Sequence, residues 1–222
     1  MLKSLKVENF KSIVDKDICL KNLNVLTGLN GSGKSSILQI LALLKQSINN
    51  NETGEKLFLF GNLLSLGKSK DILSEYSTSN NIKFNIELIN NENNESSTIN
   101  LNYSINDYEN ADVIKGYVDG NINDLRSVLN NLQYIQADRI SPRSSYPQAG
   151  TFNRESGWLG NNGEHTIDFI NQNENFLVSE NRSMKDQYSS IDSAFRNAIA
   201  PTLQLNDQIS AWLQEISPGA QI

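Results

Sequence analysis

The sequence predicts an α/β fold with an antiparallel β meander, followed by an irregular and helical segment, and three observations carry that prediction. An apolar strand pattern, a glycine loop and an apolar helix pattern follow one another over residues 24–48. Apolar and polar residues alternate over 82–89 and 98–105, and 113–118 is a shorter third strand candidate. Beyond Ser141 the periodicity gives way to prolines, glycines and short helical stretches.

Leu2, Leu5, Val7 and Phe10 alternate with Lys3, Ser4, Lys6 and Glu8, which predicts a half-buried first strand running into Asn9-Phe10-Lys11-Ser12. Two further strands are expected at 17–20 and 23–27. Cys19 lies in the first of them, and a lone thiol there reads as a small packed apolar residue.

Next comes Gly28-Leu29-Asn30-Gly31-Ser32-Gly33-Lys34-Ser35, which matches G-x-x-x-x-G-K-[ST] at every defined position. Gly28, Gly31 and Gly33 permit the backbone angles that let successive amide N–H groups, from Asn30 and Ser32 through Ser36, surround phosphate oxygens at the positive end of a helix. Lys34 is expected on the β/γ-phosphates, and the Ser35 hydroxyl on magnesium. The expected ligand is therefore a nucleoside triphosphate with Mg2+. A glycine-rich turn that binds nothing is the competing reading, and the strand–loop–helix context weighs against it.

Ile37, Leu38, Ile40, Leu41, Leu43 and Leu44 make the following helix apolar around most of its circumference, so it is expected to be deeply buried. Gly61 and Gly67 break the apolar stretch 56–73 into short elements. The two alternating stretches and the shorter candidate at 113–118 predict antiparallel strands with one wet face. Leu125, Val128, Leu129 and Leu132 have helical spacing, with Asn121 or Asn123 as cap. A return strand is expected at 133–137, ending in Asp138-Arg139. These elements make up a first lobe, 1–140. The second region, 141–222, holds a long loop and helix candidates at 166–170, 191–199 and 207–216.

Composition narrows the function. The 222-residue chain is long enough to bury a sizeable core, and its one cysteine excludes an internal disulfide. A net charge of −6 means that the average surface repels nucleic acid. Nothing indicates secretion or membrane insertion, so a reducing cytoplasm is the expected setting. No Cys/His spacing suits zinc, no nucleophile triad or nuclease site can be argued, and no N-K-x-D guanine motif occurs.

Leu5-Lys6-Val7-Glu8-Asn9-Phe10-Lys11-Ser12 together with residues 23–36 resembles the N-terminal part of an ABC-type ATPase head of the chromosome-maintenance and DNA-repair kind. In more detail the chain is similar to bacterial AAA family ATPases that include the Septu anti-phage ATPase and relatives of the OLD nucleases. Residues 41–47, 65–72 and Tyr134-Ile135-Gln136-Ala137-Asp138-Arg139 carry that closer likeness. The resemblance implies ATP and Mg2+ as cofactors and places Lys11 and Ser12 near the nucleotide. It puts Gln136 on magnesium and the attacking water. It also implies a homo-oligomer, with two heads sandwiching ATP, and an effector protein, for example a nuclease.

Two departures from that pattern bear on catalysis. An apolar strand closing in an aspartate-glutamate pair is missing in convincing form, and so is the glycine-rich signature that clamps a partner's γ-phosphate. His165 precedes the place of a switch histidine and reads as a loop residue. The catalytic unit within these residues is therefore expected to be incomplete: ATP binding is expected without efficient hydrolysis by this chain alone. Arg139, Arg143 and Arg154, interleaved with Tyr146, Phe152 and Trp158, are either a DNA contact or solvated arginines with anchoring aromatics.

Overall fold

The computed structural model describes the whole chain except residues 91–94, 106–110, 142, 152–153, 155–156, 179–196, 198 and 220–222. It divides into two compact units, Met1–Tyr134 and Ile135–Ile222.

The first unit is built on a six-stranded sheet, with strands β1 Leu2–Phe10, β2 Ile13–Cys19, β3 Lys56–Phe58, β4 Asn81–Ile89, β5 Ser96–Ser104 and β6 Val113–Asp119. Their order across the sheet is β2-β1-β4-β5-β6-β3, with every pairing antiparallel. The two-residue period decides which face is buried. Register aligns Val7 with Phe84 and Phe84 with Leu101, and likewise Leu5 with Ile86 and Ile86 with Ile99. All six of these side chains lie in the core. Phe84 also meets Phe10 edge-on at 5.8 Å between centroids and Tyr103 at 6.2 Å, contacts that add to the burial itself. The opposite face is wet: Glu8 accepts from Lys83, and Lys6 aligns with Asn85, Asn100 and Asp119.

Helix α1, Lys34–Asn50, buries Ile40, Leu43, Leu44 and Ile48 in the same hydrophobic cluster as the sheet and packs against β3 and α3, Ile122–Asn130. Its outer side is less covered than the sequence pattern suggests, since Leu38 is 50% exposed. Gln46 ties the helix to its neighbours, donating to the Phe58 carbonyl at 2.7 Å and accepting from Leu64 N–H at 3.2 Å. Ser47 accepts from Phe58 N–H at 2.9 Å. The short elements expected between 56 and 73 are β3 and α2, Ser69–Ile72. Asn121, not Asn123, caps α3 by accepting from Asn123 N–H.

Three expectations are corrected. Residues 23–27 form no strand: Asn24 closes a local loop with Lys21 through two hydrogen bonds, and Leu23 and Val25 are 81% and 75% exposed. Residues 133–137 form no strand either, because the Gln136 and Ile140 N–H groups donate to Asn161 and Asn162 carbonyls instead of to a neighbouring strand. Cys19 is exposed, not packed, since it ends β2 on the outer edge of the sheet.

In the second unit, α4 spans Thr166–Gln172 and α5 spans Leu205–Ile216. Leu177 bridges Gln204 in an isolated antiparallel pair. The helix expected at 191–199 falls almost wholly outside the described residues. Among the described residues, no helix is long and apolar enough to cross a membrane.

Candidate nucleotide site

The glycine loop sits where the chain turns into α1. Its three glycines have φ of +145° at Gly28, +83° at Gly31 and +88° at Gly33, values that side-chain-bearing residues rarely adopt. Gly33 is the N-cap of α1 and no side chain caps the helix, so its first N–H groups are left to other acceptors. Among the described residues, the N–H groups of Gly31, Gly33, Lys34 and Ser35 meet no acceptor. A β-carbon at Gly31 would touch nothing within 4 Å, which leaves that side of the loop open. Orphaned donors lining an open turn at a helix N-terminus suit a polyphosphate.

Lys34 Nζ curls back and donates to the carbonyls of Gly28 and Leu29, at 2.8 and 2.6 Å. The ammonium thus lies across the loop it is expected to serve. Ser35 is exposed on the first turn of α1, and Ser36 is buried beneath it. Asn30 and Ser32 are exposed on the loop, which Ser32 N–H tightens by donating to the Leu29 carbonyl at 3.3 Å.

The turn between β1 and β2 closes on the loop from one side. Ser12 Oγ and Ile13 Cγ1 each lie 3.1 Å from where a β-carbon on Gly33 would stand. Lys11, in the same turn, donates to Gln39 Oε1 on α1 at 2.8 Å. Half-burial pushes its ammonium below the ordinary lysine value. The structure therefore brings Ser12 against residues 28–36, with Lys11 in the same turn bound to α1 five residues beyond Lys34. Gln39, which the sequence pattern does not single out, is the residue on α1 that accepts from Lys11.

Gln136 belongs to the second unit, where it is half-buried in an irregular segment and donates from its backbone to Asn161. The arginines of that unit have different surroundings. Arg154 pairs with Asp168 through Nε and Nη2, both at 3.1 Å, and Ala149 N–H reaches the same carboxylate at 3.0 Å. Arg154 thus braces the loop. Arg139 and Arg143 are exposed, and Phe152 is outside the described residues. His165 packs edge-on against Trp158 at 5.7 Å, with Nδ1 3.4 Å from the Pro147 carbonyl, as a loop histidine would.

A glycine loop with these angles, a lysine at the head of a core helix and a sheet beside it define a nucleotide-binding P-loop domain of α/β class. Residues 23–214 match the family described as "AAA domain, putative AbiEii toxin, Type IV TA system", and the chain belongs to this family of AAA-type nucleotide-binding ATPases. No curated protein matches the chain.

Proposed function

We propose that this chain is the ATP-binding part of an ABC-type ATPase head that dimerises around Mg-ATP and gates an effector protein, in anti-phage defence or DNA maintenance. The observation that carries the nucleotide half of this reading is the loop 28–35, in which the N–H groups of Gly31, Gly33, Lys34 and Ser35 meet no acceptor among the described residues while Lys34 lies folded across it.

When ATP and Mg2+ bind, they supply the phosphoanhydride and the charge that draws electrons from it. The residues of this chain hold and orient them. Amides from Gly31 to Ser36 would surround the phosphates, Lys34 would leave the carbonyls of Gly28 and Leu29 for the β/γ-phosphates, and Ser35 would offer its hydroxyl to magnesium. Gln136 is proposed to reach magnesium and the attacking water. The remaining charge stabilisation would come from a dimer partner, which makes turnover by the isolated chain slow. The toxin named in the family's description supports a defence setting.

Calorimetry with Mg-ATP on the chain and on Lys34→Ala tests the binding step. Sedimentation of the chain with and without Mg-ATP tests dimerisation: a nucleotide-dependent increase in mass is expected, and an unchanged monomer contradicts it.

A further inference from the structure

Two lysines engage α1 or the loop that leads into it. Lys34 is the first residue of α1, and Lys11 reaches that helix from the β1–β2 turn. That turn is strained, with φ of 61° at Asn9 and 51° at Lys11, neither of them glycine. Such angles persist only where the surroundings impose them. Here they do: Lys11 N–H donates to the Ile72 carbonyl at 2.8 Å, Asn9 Nδ2 donates to the Asn81 carbonyl at 2.9 Å, and Phe10 is fully buried between them.

The result is electrostatically unfavourable unless something else is present. The positive end of a helix repels a cation, and α1 has no acidic residue in its first turn. Among the described residues Lys11 has no carboxylate partner, and its ammonium is held by the Gln39 carbonyl oxygen and the face of Phe10, 5.9 Å from the ring centre. A strained turn that holds a half-buried lysine against α1, with its neighbour Ser12 set against Gly33 of the phosphate loop, makes sense beside a site for a polyanion.

We infer that Gln39 is a positioning residue of the nucleotide site: its side-chain oxygen holds the Lys11 ammonium on α1, in the turn whose Ser12 abuts the phosphate loop, so that Lys11 meets the bound phosphates. The inference rests on the nucleotide reading above and adds to it a residue outside the motif. Removing the oxygen lets the long lysine side chain swing into water, and the nucleotide loses a cation without losing the loop.

The test is a double-mutant cycle on Mg-ATP affinity, measured by calorimetry on the full chain, with thermal midpoints recorded for each variant. Gln39→Leu keeps the bulk and removes the acceptor; Gln39→Ala is the second variant if leucine does not fold. Lys11→Met and Gln39→Leu are each expected to raise Kd about tenfold, and the double variant to stay within about twofold of either. An unchanged Kd in either single variant overturns the inference. So does a Gln39→Leu effect that persists in full on the Lys11→Met background, which would mark Gln39 as a support of the helix alone. Failure of the nucleotide reading looks different: the unmodified chain would not bind Mg-ATP, and both proposals would fall together.

Discussion

Ser12 rests on Gly33: its Oγ lies 3.1 Å from the place a β-carbon on that glycine would occupy, with Ile13 Cγ1 equally near. The β1–β2 turn is therefore the wall against which the phosphate loop is set. Gly33 also has φ of +88°, so alanine there meets strain as well as crowding. Gly33→Ala is expected to raise Kd for Mg-ATP at least about tenfold through loop displacement, against a cost of about 1–2 kcal/mol in stability. Calorimetry and a thermal melt on the same sample check both. Binding equal to that of the unmodified chain would show that the loop does not need this wall.

Gly31 separates the two causes. Its φ of +83° is just as demanding, but a β-carbon there would touch nothing within 4 Å. Gly31→Ala is expected to cost about 1–2 kcal/mol in stability from backbone strain. The comparison of thermal midpoints with Gly33→Ala then isolates the contribution of the Ser12 and Ile13 contact. Equal losses of stability and of affinity in the two variants would remove that contact from the account.

Gly33 was legible from the motif alone, because the chemistry of phosphate binding fixes both residue type and spacing there, whereas Gly31 occupies an undefined position of the pattern and shows its role through its backbone angle. The meander was legible for a similar reason: Ile82, Phe84, Ile86 and Leu88 alternate strictly with polar neighbours, and a two-residue period has one structural meaning. Residues 23–27 carry a shorter, broken apolar pattern and form no strand. Alternation reports that one side of a strand would be apolar, but pairing needs a neighbour, and Asn24 satisfies its local polar groups by bonding Lys21 instead. Cys19 was misread because edge position depends on strand order, which no local pattern encodes. Gln39 was invisible for another reason: its partner Lys11 is 28 positions away, and only the fold brings them together.

Tyr103 offers a stability prediction independent of the nucleotide. Its hydroxyl donates to the Gly54 carbonyl at 2.7 Å from a nearly fully buried ring, and burial pushes its pKa far above the ordinary value. Tyr103→Phe leaves that carbonyl without its donor, at an expected cost of about 1–3 kcal/mol by denaturant melt. Mg-ATP affinity is expected to be unchanged, and a large change in it would couple this bond to the site.

The wet face of the sheet sets an acid dependence. The Lys83 ammonium, donating to Glu8 at 3.0 Å and joined by Lys6, holds the Glu8 carboxyl below its ordinary value of 4.5 despite partial burial. A folded-state value that is depressed means stability present above the unfolded value and lost as pH falls through the folded one. The pair is largely solvated, so Glu8→Gln is expected to cost only about 0.2–1 kcal/mol at pH 7. Melts of both proteins as a function of pH check it: the gap should close as pH drops through and below the carboxylate range. A gap that stays constant into strong acid would contradict the assignment.

The most direct measurement is a calorimetric titration of Mg-ATP into the full chain, run beside Lys34→Ala. Saturable one-site binding to the unmodified chain, with loss of about a hundredfold or more in the variant, is the expected result. A chain that takes up no Mg-ATP, or a variant that binds it equally well, would contradict the claim that residues 28–36 hold a nucleotide.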